Sequence, residues 1–160
     1  MRVGIGYDVH RFDKGRKLYL GGVRIPSQLG LVGHSDADVL IHAICDALLG
    51  AAGLGDIGKH FPDTSPQYKG IASTALLKKV IGLLREKDFV VGNVDATVIL
   101  QRPKIAPYVD RMKSHLAKTL RIDRDVVSIK ATTNEGIGSL GRSEGCAAFA
   151  VATIVPQQRD

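Results

Sequence analysis

The sequence predicts an α/β fold: a single-domain α/β sandwich over residues 1–160, with a mixed β-sheet and helices packed on one face. Three observations predict it. Residues 2–10 and 89–101 alternate apolar with small or polar residues, the period of a strand. Residues 36–52 and 71–87, which lie between those strands, are apolar at helical spacing. No repeat, low-complexity stretch or linker divides the 160 residues, which are enough for one real core.

The elements follow in order. In the first strand Val3, Ile5, Tyr7 and Val9 point one way, and Gly4, Gly6, Asp8 and His10 the other. Gly4 and Gly6 keep their face thin, which suits a close approach by another element. Residues 17–32 read as a small hairpin or extended arm around Gly21-Gly22. Ser35 or Asp36 is the expected N-cap of a helix running to about residue 52. Within it Asp38, His42 and Asp46 recur every fourth residue and share a face. Gly53, Gly55 and Gly58 end the helix, and residues 53–70 read as a long loop of the kind that often carries function. Leu76, Val80, Leu83 and Leu84 form the apolar stripe of the next helix. In the 89–101 strand Val90, Val94, Ala96, Val98 and Leu100 share a side. Pro107 opens a helix whose buried stripe is Val109, Met112, Leu116 and Leu120. Residues 126–132 are a strand, 133–145 a polar Gly-rich loop, and Cys146 to Val155 a final strand, for which core packing is expected.

Composition narrows the function. Hydrophobic residues at 44% and charged residues at 24% are ordinary for a globular chain. The net charge of +6 suits either a solvated basic surface or a field for an anionic ligand. No zinc-finger spacing, basic tail or aromatic–basic interleaving points to nucleic acid. No apolar run spans a bilayer, and the N-terminus does not read as a signal peptide, so no membrane partner and a cytoplasmic location are expected. Cys45 and Cys146 each sit in an apolar run and read as free buried thiols.

Four constellations could carry chemistry. Asp8, His10 and His42 are a ligand set for Zn²⁺ with an open fourth position; separately, they would be a cap, an exposed histidine and a satisfied core histidine. His34-Ser35 before a helix start suits a phosphate, although a cap alone explains Ser35. Gly55-Asp56-Ile57-Gly58 with Phe61 to Ser65 allows a ligand near the backbone and a carboxylate for a ribose, or is a turn with a capping Asp. Lys130 to Glu135, with Gly138, Gly141, Arg142 and Glu144, offers hydroxyls, a carboxylate and an Arg for a phosphate with a divalent cation, or is a solvated loop. Walker A, Rossmann and G-x-S-x-G patterns are absent from the sequence.

Taken together, GYDVHRF, GGVRIP, GHSDADVLIHAICDALLGAAGLGDIGKHFPDT, GNVDAT, RPKIAPY and KATTNEGIGSLGRSEG resemble a known family nearly end to end. It is the 2-C-methyl-D-erythritol 2,4-cyclodiphosphate synthases of the non-mevalonate isoprenoid pathway. The resemblance implies a homotrimeric lyase with active sites between subunits. It would convert 4-diphosphocytidyl-2-C-methyl-D-erythritol 2-phosphate to the 2,4-cyclodiphosphate and CMP. It implies Asp8, His10 and His42 as zinc ligands, with Val9 between them at the substrate. It implies His34, Ser35, Phe61, Pro62, Asp63, Thr64 and Ser65 around the methylerythritol phosphate, and Asp56, Ile57 and Gly58 at the ribose. Leu100, Gln101, Arg102, Pro103, Lys104, Ile105 and Ala106, with Ala131, Thr132 and Thr133, would form a cytosine pocket largely of backbone groups. Thr133 and Glu135 would meet the α- and β-phosphates, with Glu135 on Mg²⁺ or Mn²⁺ and Asn134 between them among the substrate-binding residues. His34 and Thr133 would stabilise the transition state. Arg142 would lie near the trimer axis or substrate. Ser139 stands where an aromatic is often found, which leaves its contact open.

The charges set the mechanism such a site needs. A 2-phosphate oxygen must attack the β-phosphorus of the same anionic molecule, so positioning and neutralisation dominate and no general base is required. Two rivals share these residues: a pyrophosphohydrolase that admits water, and a non-catalytic zinc- or isoprenoid-binding module. Asp38 and Asp46 are expected either to support His34 or His42 or to act as local caps.

Overall fold

A computed structural model describes residues 1–158. Seven strands and five helices form one mixed sheet, a small hairpin and a helical layer. The elements are β1 (Arg2–Lys14), β2 (Leu18–Leu20), β3 (Val23–Ile25), β4 (Leu29–Leu31), α1 (Val39–Ala51), α2 (Ile57–His60), α3 (Ser73–Glu86), β5 (Phe89–Ile99), α4 (Val109–Leu120), β6 (Val127–Thr132), α5 (Gly138–Gly141) and β7 (Gly145–Pro156). The five-stranded sheet runs β4-β1-β7-β5-β6; only β5 and β6 pair parallel. The expected α/β class and the order of the main elements along the chain hold.

The close contact between α1 and β1 positions the site. A Cβ at Gly4 would lie 2.0 Å from the Ala47 carbonyl oxygen, and one at Gly6 would lie 1.9 Å from that of Ala43. Only glycine lets the helix backbone rest on the strand there. Ala43, Ala47 and Ala51, one turn apart, make the matching small-residue face. Further along the same face of β1 come Asp8 and His10, which meet the N-terminal half of α1. The helix is buried nearly all round, with Leu40, Ile41, Ile44, Leu48 and Leu49 fully enclosed.

The other face of the sheet is apolar and bare. Val3, Ile5, Tyr7 and Val9 on β1 are 47–70% exposed, and Phe149 and Val151 on β7 are 44% and 43% exposed. Tyr7 lies opposite Phe149 and Ile5 opposite Val151, so these side chains form one continuous patch. Core packing therefore accounts for only half of the final strand: Ala148, Ala150 and Ala152 are buried, while the larger residues between them face out.

Several local expectations are corrected. Asp38, not Ser35 or Asp36, caps α1, accepting from the Ile41 amide at 3.1 Å. The fully buried Asp38 carboxylate also accepts from the Gly21 and Gly22 amides at 2.9 and 2.7 Å. Those glycines, with φ of 57° and 76°, form the two-residue turn between β2 and β3. One carboxylate thus caps the central helix and anchors the hairpin. The 53–70 stretch holds α2 and a 3₁₀ turn at Pro66–Tyr68, and the 133–145 loop holds α5. A bulge between Val91 and Asn93 shifts the alternation of β5, so Val91 rather than Val90 is buried. In α3 Leu77 and Ile81 join the buried stripe and Leu83 is only partly covered. Cys45 and Cys146 are free and buried, and burial pushes both thiols up, away from reactivity.

Candidate active site

Asp8, His10 and His42 converge as the thin face of β1 dictates. His10 Nε2 lies 2.9 Å from Asp8 Oδ2, His42 Nδ1 lies 3.0 Å from the same oxygen, and the two nitrogens are 3.2 Å apart. A tetrahedral metal with bonds of about 2.0–2.1 Å separates its ligand atoms by roughly 3.3 Å, so this triangle is close to one face of such a site. Each side chain is no more than a quarter exposed. Burial pushes the Asp8 carboxyl up, but hydrogen bonds and charge from His10 and His42 outweigh it and hold it well below the usual carboxylate range. Burial lowers His10, and the hydrogen bond and charge of Asp8 overcome that and raise it.

The ring nitrogens facing away from the triangle are held. His10 Nδ1 donates to the Val32 carbonyl at 2.7 Å, which leaves Nε2 as the lone pair turned to Asp8 and His42. His42 Nε2 faces the hydroxyls of Ser73 at 2.9 Å and Ser35 at 3.1 Å. Ser73, fully buried, donates its hydroxyl proton in a short hydrogen bond to Asp36. Ser73 is a neighbour of His42 that the sequence reading did not single out. It opens α3, and only its distance from His42 in space gives it a role.

A cavity of about 500 Å³ opens beside the triangle, lined by His10, Gly33, His34, Ser35, His42, Ile57, Gly58, Phe61, Pro62, Asp63 and Thr64, with Tyr68, Ile71 and Leu76. The last three are additions to the sequence reading. Phe61 and Tyr68 meet edge to face with ring centroids 5.5 Å apart. His34 Nε2 donates to the Ser65 carbonyl at 3.2 Å, tying the turn before α1 to the far loop. Asp56 caps α2 through the Lys59 amide at 2.9 Å, and Asp46 accepts from the Ile57 amide at 2.7 Å. So Asp38 and Asp46 are local anchors, and neither side chain is hydrogen-bonded to His34 or His42. The Val9 side chain lies on the opposite, bare face of the sheet.

The remaining expected residues form a second group that lines none of this cavity. Leu100 and Ile105 are core residues at 4% and 2% exposure, so only their backbone can face a ligand. The Arg102–Pro103 peptide is cis, and the Asn134 amide donates to Gln101 Oε1 at 3.3 Å, which joins the 100–106 turn to the end of β6. Gln101, Arg102, Pro103 and Lys104 line a separate cleft of about 700 Å³ with Phe12, Ser27, Gln28, Leu29 and Ser143. Ala131, Thr132 and Thr133 are exposed, as are Glu135 and Ser139. Thr133 Oγ1 donates to Glu135 Oε1 at 3.0 Å, and Glu135 holds a left-handed φ of 51°. Arg142 pairs with Glu144 at 2.6 Å across two exposed side chains.

Known proteins share this sequence pattern and this fold. The YgbB family profile matches residues 1–155. The chain is 61% identical to the 2-C-methyl-D-erythritol 2,4-cyclodiphosphate synthase of Geobacter sulfurreducens over 154 residues, 96% of this chain and 98% of that one. Its structure superposes on the bifunctional IspDF from Campylobacter jejuni with a TM-score of 0.92 and 44% identity, covering 96% of this chain and 42% of that longer one. It superposes on the IspF–CDP complex from Plasmodium falciparum with a TM-score of 0.85 and 34% identity, covering 98% and 97%. The chain belongs to the YgbB family, that of the 2-C-methyl-D-erythritol 2,4-cyclodiphosphate synthases.

Proposed function

We propose that this chain cyclises 4-diphosphocytidyl-2-C-methyl-D-erythritol 2-phosphate to 2-C-methyl-D-erythritol 2,4-cyclodiphosphate and releases CMP, a phosphorus–oxygen lyase step of the non-mevalonate isoprenoid pathway. The Asp8–His10–His42 triangle at the wall of a cavity large enough for a small-molecule substrate carries the reading. Membership of the synthase family supports it, and the CDP held by a similar structure supports a cytidine diphosphate-linked substrate.

The reaction forms one bond, from a 2-phosphate oxygen to the β-phosphorus, and breaks one, from that phosphorus to the oxygen bridging it to the α-phosphorus. That oxygen leaves with CMP, and no water is consumed. Asp8, His10 and His42 would hold Zn²⁺, which as a Lewis acid withdraws charge from a phosphoryl oxygen. Glu135 would hold Mg²⁺ or Mn²⁺ at the diphosphate, whose charge that ion neutralises. His34 and Ser35 hold the 2-phosphate end against the α1 side of the cavity. Phe61 to Ser65 close over the methylerythritol and keep water from the β-phosphorus. Asp56 to Gly58 take the ribose, the backbone of 100–106 and 131–133 takes the cytosine, and Thr133 donates to the phosphates.

The two residue groups line different cavities, so one chain does not supply a whole site around the substrate. The bare apolar patch on β1 and β7 suits burial against other copies of the chain, since soluble monomers rarely expose such a surface. A homotrimer would cover that patch and bring the Thr133–Glu135 group of one subunit to the His42 cavity of the next. Among the described residues no helix is long and apolar enough to cross a membrane. A cytoplasmic enzyme, with no nucleic-acid partner, completes the proposal.

Turnover in ¹⁸O-labelled water tests the reaction. The expected products are unlabelled cyclodiphosphate and unlabelled CMP. Label in a phosphorylated product would replace cyclisation with pyrophosphate hydrolysis.

A further inference from the structure

The two serines beside His42 offer it chemically equivalent oxygens, yet their other hydrogen bonds differ. Ser73 is fully buried, and its hydroxyl proton is committed to the Asp36 carboxylate. Its amide donates to the other Asp36 oxygen at 3.0 Å, so both ends of the residue are fixed. The Ser73 oxygen then has only a lone pair to offer His42, 2.9 Å away. Ser35 is differently placed. Its oxygen accepts from the Ala37 amide at 3.1 Å, and it lines the cavity directly. Among the described residues no carboxylate takes its proton.

When Nδ1 of His42 holds a metal, Nε2 must carry that ring's single proton. That proton needs an acceptor, and Ser73 is the nearer and is prevented from acting as a donor. An unbroken chain results: metal, His42 Nδ1, His42 Nε2–H to Ser73, Ser73 O–H to Asp36. A carboxylate reached through a hydroxyl thus orients the ring and strengthens its donation to the metal, as direct carboxylate partners of metal-bound histidines do. His10 is fixed separately by the Val32 carbonyl. With Ser73 in this role, the Ser35 proton has the Ser73 oxygen at a long 3.5 Å or a ligand in the cavity as its acceptor.

We infer that Ser73, set by Asp36, is the positioning residue that holds His42 on its metal, which leaves Ser35 to the phosphate contact already proposed for it. The inference rests on the proposed metal site and cyclisation and deepens them.

Zinc affinity, read by competition with a chromophoric chelator, tests it without turnover. Ser73→Ala is expected to weaken zinc about 10–100-fold. Ser35→Ala is expected to leave zinc affinity within about 3-fold and to raise KM for the cytidine diphosphate substrate. Circular dichroism and the melting temperature of each zinc-free variant show that it is folded, and Ser73→Thr, which restores the hydroxyl, is expected to recover zinc affinity. A folded Ser73→Ala protein that binds zinc like wild type would overturn the inference. So would a Ser35→Ala protein that loses zinc as Ser73→Ala should. If the unaltered protein held zinc yet released no CMP, the proposed reaction would fall while the Ser73 result would still stand.

Discussion

The cluster around His42 is held from every side, whereas the loop carrying Thr133 and Glu135 is held mainly by itself. His42 sits on a buried helix seated on two glycines, and its ring nitrogens face Asp8, His10 and Ser73. Thr133 and Glu135 are exposed, bond chiefly to each other, and sit on a left-handed turn at the end of β6. The Asp8–His10–His42 cluster is preorganised within one chain. The Thr133–Glu135 loop offers a hydroxyl and a carboxylate on an exposed surface, for which the proposed function has a ligand and a neighbouring subunit supply the walls. Fixed geometry at the metal end and an open phosphate end suit a site that is completed at an interface.

Substitutions can break this contrast from either side. His42→Ala should have the largest effect. Removing one of three ligands should cost more than the roughly 10–100-fold of an outer-shell change, so turnover should fall at least about 1000-fold and metal analysis should show zinc lost from a folded protein. Gly6→Ala attacks the support instead. Its Cβ would meet the Ala43 carbonyl at 1.9 Å, so α1 must move off β1. Overpacking of this kind costs about 3 kcal/mol, measurable as a lower urea midpoint with weaker zinc binding. Full stability in that variant would show that α1 does not need its close seat.

On the other half, Glu135→Gln should reduce kcat about 100-fold, the scale of losing a group that stabilises transition-state charge. Zinc content and melting temperature should not change. Loss of zinc in that variant would mean that the halves are coupled within one chain. The smallest effect belongs to the base of that loop, where Lys130 on β6 bonds Asp95 on β5 at 2.6 Å. The Lys130 hydrogen bond holds the Asp95 carboxyl below its usual range. That contribution is fully present above the unfolded carboxylate pKa of about 3.9 and is lost progressively as pH falls from there through the lowered folded pKa. Both groups are about half exposed, so Lys130→Ala should cost less than about 1 kcal/mol at neutral pH. Urea titrations at pH 7 and pH 3 should show the difference shrink at the lower pH.

The same contrast explains what the sequence made legible. The alternation of 2–10 placed Gly4, Gly6, Asp8 and His10 on one face, and the fourfold spacing in α1 drew attention to His42. Periodicity reads such regular elements well. It says nothing of which face stays bare, so the exposure of Ile5 and Phe149 appeared only in three dimensions. It also missed the N-cap at Asp38, because the partners at Gly21 and Gly22 come from a distant hairpin. Ser73 was hidden for the same reason: its importance lies in contacts with Asp36 and His42, 37 and 31 residues away. The Thr133–Glu135 loop was recognisable by its residue types and by resemblance. Its walls were not, since no periodic element forms them.

Mixing two inactive proteins tests most directly whether the site is shared between subunits. His42→Ala and Glu135→Gln chains, unfolded together at equal amounts and refolded, would assort at random into trimers. If each site joins the His42 of one subunit to the Glu135 of its neighbour, about a quarter of the sites regain both residues. CMP release should then return to about a quarter of the wild-type rate. Mixed trimers, shown by native mass spectrometry, that stayed as inactive as their parents would contradict the account.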